Sequence, residues 1–195
     1  MHAINPQNAP NLTLILGGTR SGKSEYAEQL ASEISNKVLY IATAENRPGK
    51  GSLEARIRKH RERRPSTWQT LECPLHLAET IRNQSSLTPD KGIQVVLLDC
   101  LTLLSSNILF AGEHPEDIDE LENKLQQEIS SLLQLIQETD IPWIIVSSET
   151  GLGIASNDQI TRNYCDGLGM VNRMIASQAN QVALIVAGLP LYLKK

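Results

Sequence analysis

Leu12-Thr13-Leu14-Ile15-Leu16-Gly17-Gly18-Thr19-Arg20-Ser21-Gly22-Lys23-Ser24 joins an apolar run to a glycine-rich loop that ends in Lys-Ser. The run reads as a strand. Beyond Gly22, Tyr26, Leu30 and Ile34 recur at i, i+4, i+8 with Ala27 and Ala31 beside them, the stripe of an amphipathic helix. Strand, loop and helix in this order give G-x-x-x-x-G-K-[ST], here Gly17 to Ser24, the context it requires. Glycines let successive backbone N–H groups turn inward on phosphate oxygens, and the start of the helix adds the positive end of its dipole. Lys23 is then a point charge on the outer phosphates and a candidate catalytic residue, and the Ser24 hydroxyl is a candidate ligand of Mg²⁺. A chance glycine-rich turn is the bland alternative, and it leaves the register of strand, lysine and helix unexplained.

Outward from this loop, short apolar runs alternate with segments of helical period. The strands expected are Leu12 to Leu16, Val38 to Ala42, Ile93 to Leu98, Trp143 to Ser147 and Val182 to Ala187, with a short last one at Leu191 to Leu193 after Pro190. The longest helix expected is Pro115 to Glu138, where Ile118, Leu121, Leu125, Ile129, Leu132 and Ile136 fall at spacings of three and four. Asn36, Pro48-Gly49 with Gly51, Pro89-Asp90 and Gly151 with Gly153 mark turns or loops. This alternation predicts an α/β fold, a largely parallel sheet flanked by helices. It is expected to form a single domain over residues 11–195, after a flexible tail from Met1 to Pro10.

The chain has 195 residues, 41% of them hydrophobic and 21% charged, with a net charge of -4. These values suit one globular domain and argue against a general nucleic-acid binder. Cys73, Cys100 and Cys165 are odd in number and form no CxxC pair, so neither a disulfide framework nor a zinc site is expected, and a reducing cytoplasm is the natural compartment. No run approaches the length needed to cross a bilayer, so membrane insertion is not expected.

Asp99 closes the apolar run Ile93 to Leu98, where a second acidic group would hold magnesium through water. Its structural alternative is a helix N-cap before Leu101. Leu53 to Arg64 reads as a basic helix with Leu53, Ile57 and His60 on one face. Arg56, Arg58, Lys59, Arg61, Arg63 and Arg64 surround His60 with cations, which disfavours the imidazolium and keeps the ring nucleophilic. Taken by itself, the segment equally suits a solvated basic face. His2, His76 and His114 lack such surroundings and receive no role.

Together these pieces resemble the bifunctional adenosylcobinamide kinase and adenosylcobinamide-phosphate guanylyltransferase family of cobalamin biosynthesis. The resemblance runs from Leu14 to Lys194. It is carried by Gly17 to Ser24, by Val38-Leu39-Tyr40-Ile41-Ala42-Thr43, and by Arg56 through His60 to Arg64-Pro65 with Trp68 and Glu72. Further along it rests on Leu97-Leu98-Asp99-Cys100-Leu101-Thr102 with Asn107, on Arg162, Asp166, Gly169 and Asn172, and on the closing Val186-Ala187-Gly188-Leu189-Pro190. The resemblance implies a RecA-like P-loop domain in a homotrimer that uses ATP and GTP with Mg²⁺ and acts on cobinamide, with no nucleic-acid partner. It implies that His60 attacks the α-phosphate of GTP to give a GMP-histidine intermediate, and that a separate activity phosphorylates cobinamide. The implied nucleotide-binding residues are Gly17, Gly18, Thr19, Arg20, Ser21, Gly22, Lys23, Ser24, Thr43, Ala44, Glu45, Arg61, Glu62, Arg63, Arg64, Glu72 and Asp99, with Ser24 and Asp99 at the metal.

The chain departs from the family pattern where Ser148-Glu149-Thr150-Gly151 replaces the usual Asn-Glu-Val-Gly, where Ser156 replaces a proline, and where Asp99 replaces the more frequent Glu. Arg162, Asp166 and Asn172 suit either substrate or subunit contacts, or a helix held by local ion pairs and caps. Two other functions fit a P-loop chain: a small-molecule kinase with no covalent intermediate, and a RecA-like ATPase module whose basic segment meets nucleic acid. Retention of labelled GMP separates the first, and salt-sensitive DNA binding the second.

Overall fold

The computed structural model describes residues 11–44, 58, 61–84, 86, 87, 91–112, 114–153 and 156–195. Along the chain these form β1 (Leu12–Gly17), α1 (Lys23–Ile34), β2 (Val38–Ala42), β3 (Gln69–Glu72), α2 (Leu77–Asn83), β4 (Val95–Asp99) and α3 (Leu101–Ala111). Then follow α4 (Ile118–Gln137), β5 (Trp143–Val146), α5 (Gln159–Gln178), β6 (Gln181–Val186) and β7 (Leu189–Lys194). The strands make one sheet in the order β3-β2-β4-β5-β1-β6-β7. Every neighbouring pair is parallel except β6 and β7, which form an antiparallel hairpin.

Successive residues of a strand face opposite sides of a sheet, and the two cores divide accordingly. Leu14, Ile41, Val96, Leu98 and Ile145 pack with side chains of α2, α3, α4 and α5 on one face. On the other face Ile15, Tyr40, Leu97, Ile144 and Val146 pack with Ala27, Ala31 and Ile34 of α1. The expected largely parallel sheet with helices on both faces is what the strand order and the two cores describe. Among the described residues no helix is long and apolar enough to cross a membrane.

α4 buries Leu121, Leu125, Ile129, Leu132 and Ile136 of the stripe expected from its spacing, with Leu135 in addition and Ile118 only partly buried, and Asp117 caps its start by accepting from Glu120 N at 3.0 Å. α5 is equally long, although its buried face carries Asn163, Gly167 and Asn172 among apolar residues. Gly167 explains the close packing of the two helices, since a Cβ there would lie 2.7 Å from Leu125 Cδ1. Asp158 caps α5 through Thr161 N at 2.7 Å.

The strands differ from expectation in three places. β3 has no apolar run, because it is an edge strand with Leu71 as its one buried residue. β4 begins at Val95 and takes in Asp99, so the acid is the last residue of the strand. Ala187 and Gly188 join β6 to β7 with φ of 50° and 81°, the left-handed pair that a two-residue hairpin turn with the right twist requires. The turn lies against the glycine-rich loop, where Gly188 N donates to Ser21 O at 2.8 Å. β7 is tied to α1 by a hydrogen bond of 2.7 Å between the hydroxyls of Tyr26 and Tyr192.

Candidate active site

The loop between β1 and α1 has the geometry that its sequence predicts. Gly22 has φ of 92°, a left-handed conformation that disfavours any side chain, and its carbonyl accepts from Tyr26 N at 2.9 Å to open the helix. A Cβ on Gly17 would overlap Ser21 Oγ and come within 2.9 Å of Ile185 O, so the loop can leave β1 this closely only from glycine. Ser21 N donates to Gly18 O at 3.2 Å, and Lys23 Nζ folds back to the same carbonyl at 3.1 Å. Lys23 is therefore held over the loop it would serve. The Ser21 hydroxyl is buried without a hydrogen-bond partner among the described residues.

Thr19, Arg20, Ser21, Gly22, Lys23 and Ser24 line a cavity of about 580 Å³. Across it stand Ala44, Arg61, Arg63, Arg64, Glu72 and Asp99, all of them expected from the sequence. Tyr40, Cys100, Thr102 and Ser148 complete walls that the sequence did not assign. Gly17, Gly18, Thr43 and Glu62 are absent from the lining. Glu45 and His60 lie outside the described residues, as does most of the expected basic helix, of which Arg58 and residues 61–63 are seen as helical.

Thr43 braces a wall rather than facing the cavity. It is fully buried, its hydroxyl donates to Cys100 O at 2.7 Å and accepts from Cys100 N at 2.9 Å, and its carbonyl accepts from Asn107 Nδ2 at 2.8 Å. The segment that carries Cys100 past Asp99 is thus pinned to the end of β2. Asp99 does not cap α3, whose N-cap is Cys100. Instead one carboxylate oxygen of Asp99 accepts from the Tyr40 hydroxyl at 2.8 Å. Burial and the nearby Asp99 raise that phenol well above its ordinary range, so it remains a donor.

The basic segment is less positive than a count of its cations suggests. Arg61 is paired with Glu72, Arg63 with Glu25 and Glu28, and Arg58 with Glu62. Arg64 stands apart from these ion pairs. Its guanidinium lies 3.5 Å over the centre of the Tyr40 ring, and its Nε is buried with no hydrogen-bond partner among the described residues. A stacked guanidinium keeps its edge available, which suits recognition of a phosphate or a base.

Where the chain has Ser148, the backbone does the fixing: Ser148 N donates to Thr102 Oγ1 at 2.8 Å and its carbonyl accepts from Asn172 Nδ2 at 3.0 Å. Glu149 accepts from Gly151 N at 2.7 Å and shapes its own turn. Arg162 holds Ser156 O at 2.9 Å and Gln159 Oε1 at 2.6 Å. The contacts of Arg162 are local to the start of α5, whereas Asn172 reaches across to the segment after β5.

Among the described residues no group of three or more His, Cys, Asp or Glu side chains could hold a metal. A hydroxyl and one carboxylate sharing a cavity, Ser24 and Asp99, suit a hard ion that keeps several waters and takes its other oxygens from phosphates. Mg²⁺ fits this donor set.

Residues 13–193 match the family model described as "Cobinamide kinase / cobinamide phosphate guanyltransferase". The chain belongs to this family. It is 42% identical over 181 residues to the bifunctional adenosylcobalamin biosynthesis protein CobP of Pseudomonas aeruginosa, covering 93% of this chain and 96% of that one. It is 37% identical over 188 residues to the bifunctional protein CobU of Escherichia coli, covering 94% and 99%. Among solved structures, the flagellar accessory protein FlaH of Methanocaldococcus jannaschii is similar with 14% identity and a TM-score of 0.48, over 95% of this chain and 79% of that one. Members of the cobinamide kinase / guanyltransferase family are enzymes, and this chain is accordingly a nucleotide-using transferase with kinase and guanylyltransferase reactions.

Proposed function

We propose that both transfers take place in the one cavity shared by the phosphate loop, Asp99 and the Arg61–Arg64 segment. The carrying observation is that residues from Thr19 to Ser24 line the same cavity as Asp99, Arg61, Arg63 and Arg64, although they come from distant parts of the chain. Backbone N–H groups of the loop and Lys23 would bind the phosphates of ATP or GTP, where charge develops on the transferred group. Ser24 and, through water, Asp99 would hold Mg²⁺, which neutralises phosphate charge when bound.

In the kinase reaction the aminopropanol hydroxyl of (adenosyl)cobinamide attacks the γ-phosphorus of ATP or GTP and loses its proton, and the nucleoside diphosphate leaves. In the second reaction the imidazole of His60 attacks the α-phosphorus of GTP and pyrophosphate leaves. An oxygen of cobinamide phosphate then attacks the same phosphorus, the histidine departs, and GDP-cobinamide results. Arg61, Arg63 and Arg64 follow His60 in sequence and reach the cavity, which supports placing the nucleophile beside it. The carboxylate pairing of Arg61 and Arg63 weakens the case for a nucleic-acid patch on this segment.

Three wider expectations belong to the same reading: residues 11–195 act as one RecA-like domain, the enzyme is a homotrimer, and it works in the cytoplasm. One strand, β5, stands between the phosphate-loop strand β1 and the acid-bearing β4, an order that supports the RecA-like assignment. Light scattering returning a monomer would reject the trimer.

Incubation with α-labelled GTP followed by peptide mapping tests the mechanism. Label is expected on the His60 peptide, and His60→Ala should lose both adduct and GDP-cobinamide while still phosphorylating cobinamide. Label on Lys59, or an adduct that persists in His60→Ala, overturns the assignment.

A further inference from the structure

Tyr40 lies on β2 on the same face of the sheet as Asp99, and the pairing of Tyr40 with Leu97 and of Ala42 with Asp99 puts the acid two residues further along. A tyrosine side chain spans that distance, about 6.6 Å along a strand, and delivers its hydroxyl to Asp99 Oδ2 at 2.8 Å. The ring is almost wholly buried, with Arg64 at 3.5 Å and the Trp68 ring at 6.3 Å and 29°. Its hydroxyl is therefore aimed by packing, and phenylalanine would fill the same space without reaching the acid.

An aspartate at a strand end can swivel about its last torsion, which is broad. A donor fixed on one oxygen restrains that freedom in a carboxylate that also lines the cavity. We propose that Tyr40 is a positioning residue that sets the orientation of the Asp99 carboxylate for the metal. This rests on the reading of Asp99 as the water-bridged magnesium residue. A buried hydroxyl needs some acceptor in any case. Here it has taken the carboxylate that lines the cavity, so its loss should be felt at the metal and not only in stability.

The test uses the full-length chain with Tyr40→Phe, Asp99→Asn and the double variant. Mn²⁺ serves as probe, its free concentration read by electron paramagnetic resonance in the presence of a non-hydrolysable GTP analogue. Kinase turnover is titrated with Mg²⁺ in parallel, and thermal midpoints check folding. Tyr40→Phe should raise the Mn²⁺ dissociation constant and the half-saturating Mg²⁺ about tenfold, in line with losing one hydrogen bond to a charged group. Saturating metal should restore most of the turnover lost at limiting metal, a split that a merely structural role would not show. Asp99→Asn should weaken the metal at least as much, and adding Tyr40→Phe to it should weaken it no further.

Metal affinity in Tyr40→Phe within about twofold of the parent, with Asp99→Asn impaired, overturns this inference alone. A Tyr40→Phe effect of the same size in the Asp99→Asn background also overturns it, since the residue would then act by another route. Unchanged metal affinity in Asp99→Asn removes the metal reading of Asp99 and this inference with it.

Discussion

Alanine at position 22 would have to hold φ near 92° and put its Cβ 3.2 Å from Gly188 Cα. The left-handed conformation costs an L-residue about 1–2 kcal/mol. The neighbour is backbone and cannot rotate away, so relief requires the loop and the hairpin turn to part. That strains the Gly188 N to Ser21 O hydrogen bond, whose loss costs about 0.5–1.5 kcal/mol. Together the costs are roughly 1.5–3.5 kcal/mol, and at about 2–4 °C per kcal/mol for a domain of this size the thermal midpoint should fall by roughly 3–14 °C. If the loop relaxes instead, the same energy appears as nucleotide binding weakened about 10- to 400-fold. Scanning calorimetry of the free protein and titration calorimetry with GTP measure the two channels. Gly18→Ala is the internal comparison, because a Cβ there meets nothing within 4 Å, and its free protein should melt like the parent. A Gly22→Ala protein that matches the parent in both midpoint and GTP affinity would refute this account of the loop.

Lys23→Ala should lower turnover of both reactions by about 10²–10³-fold, because it removes a charge from the transferring phosphates; kinase and guanylyltransferase assays at saturating nucleotide check this, and near-normal turnover contradicts it. Burial, with Asp99 adding to it, pushes the Cys100 thiol up to about 12, and burial also raises Cys73. Both thiols are thus harder to ionise than a free cysteine, and near pH 8 both should resist alkylation in the native protein, while unfolding exposes them; mass spectrometry with and without denaturant reads the difference. Asp117→Ala removes the cap of α4 and should destabilise by about 1 kcal/mol, or about 2–4 °C, by thermal melting.

The phosphate loop and the central strands were legible because local chemistry decides them: a glycine-rich turn with its lysine has few other uses, and buried parallel strands read as apolar runs. β3 was missed and β7 was read only over Leu191 to Leu193, since edge strands bury little and β7 is exposed along its length. The stripe of α4 was plain, whereas α5 hid its equal length behind Asn163, Gly167 and Asn172, residues whose burial makes sense only beside α4 and Ser148 O. In the site, sequence reached the residues that belong to motifs. It assigned Thr43 to the nucleotide, although the structure gives its hydroxyl to the Cys100 backbone, and it gave Tyr40 no role. A buried tyrosine in a strand looks like core, and nothing local reveals that its hydroxyl meets an acid two residues along the next strand. Counting cations overstated the free positive charge of Arg61 and Arg63, because Glu25, Glu28 and Glu72 come to them from elsewhere in the fold.

The turn between β6 and β7 has a consequence for how the protein is born. The nucleotide motif leaves the ribosome well before β5 and β6, the strands on either side of β1, and the amide of Gly188 that meets the loop comes later still. The two tyrosines that tie β7 to α1 are 166 residues apart. Such distant pairings close late and slowly, because the loop-closure entropy is spent before the contacts form. A nascent chain that already displays Gly17 to Ser24 therefore has the letters of the motif without its shape, and GTP can reward folding by binding only after β6 and Gly188 have emerged.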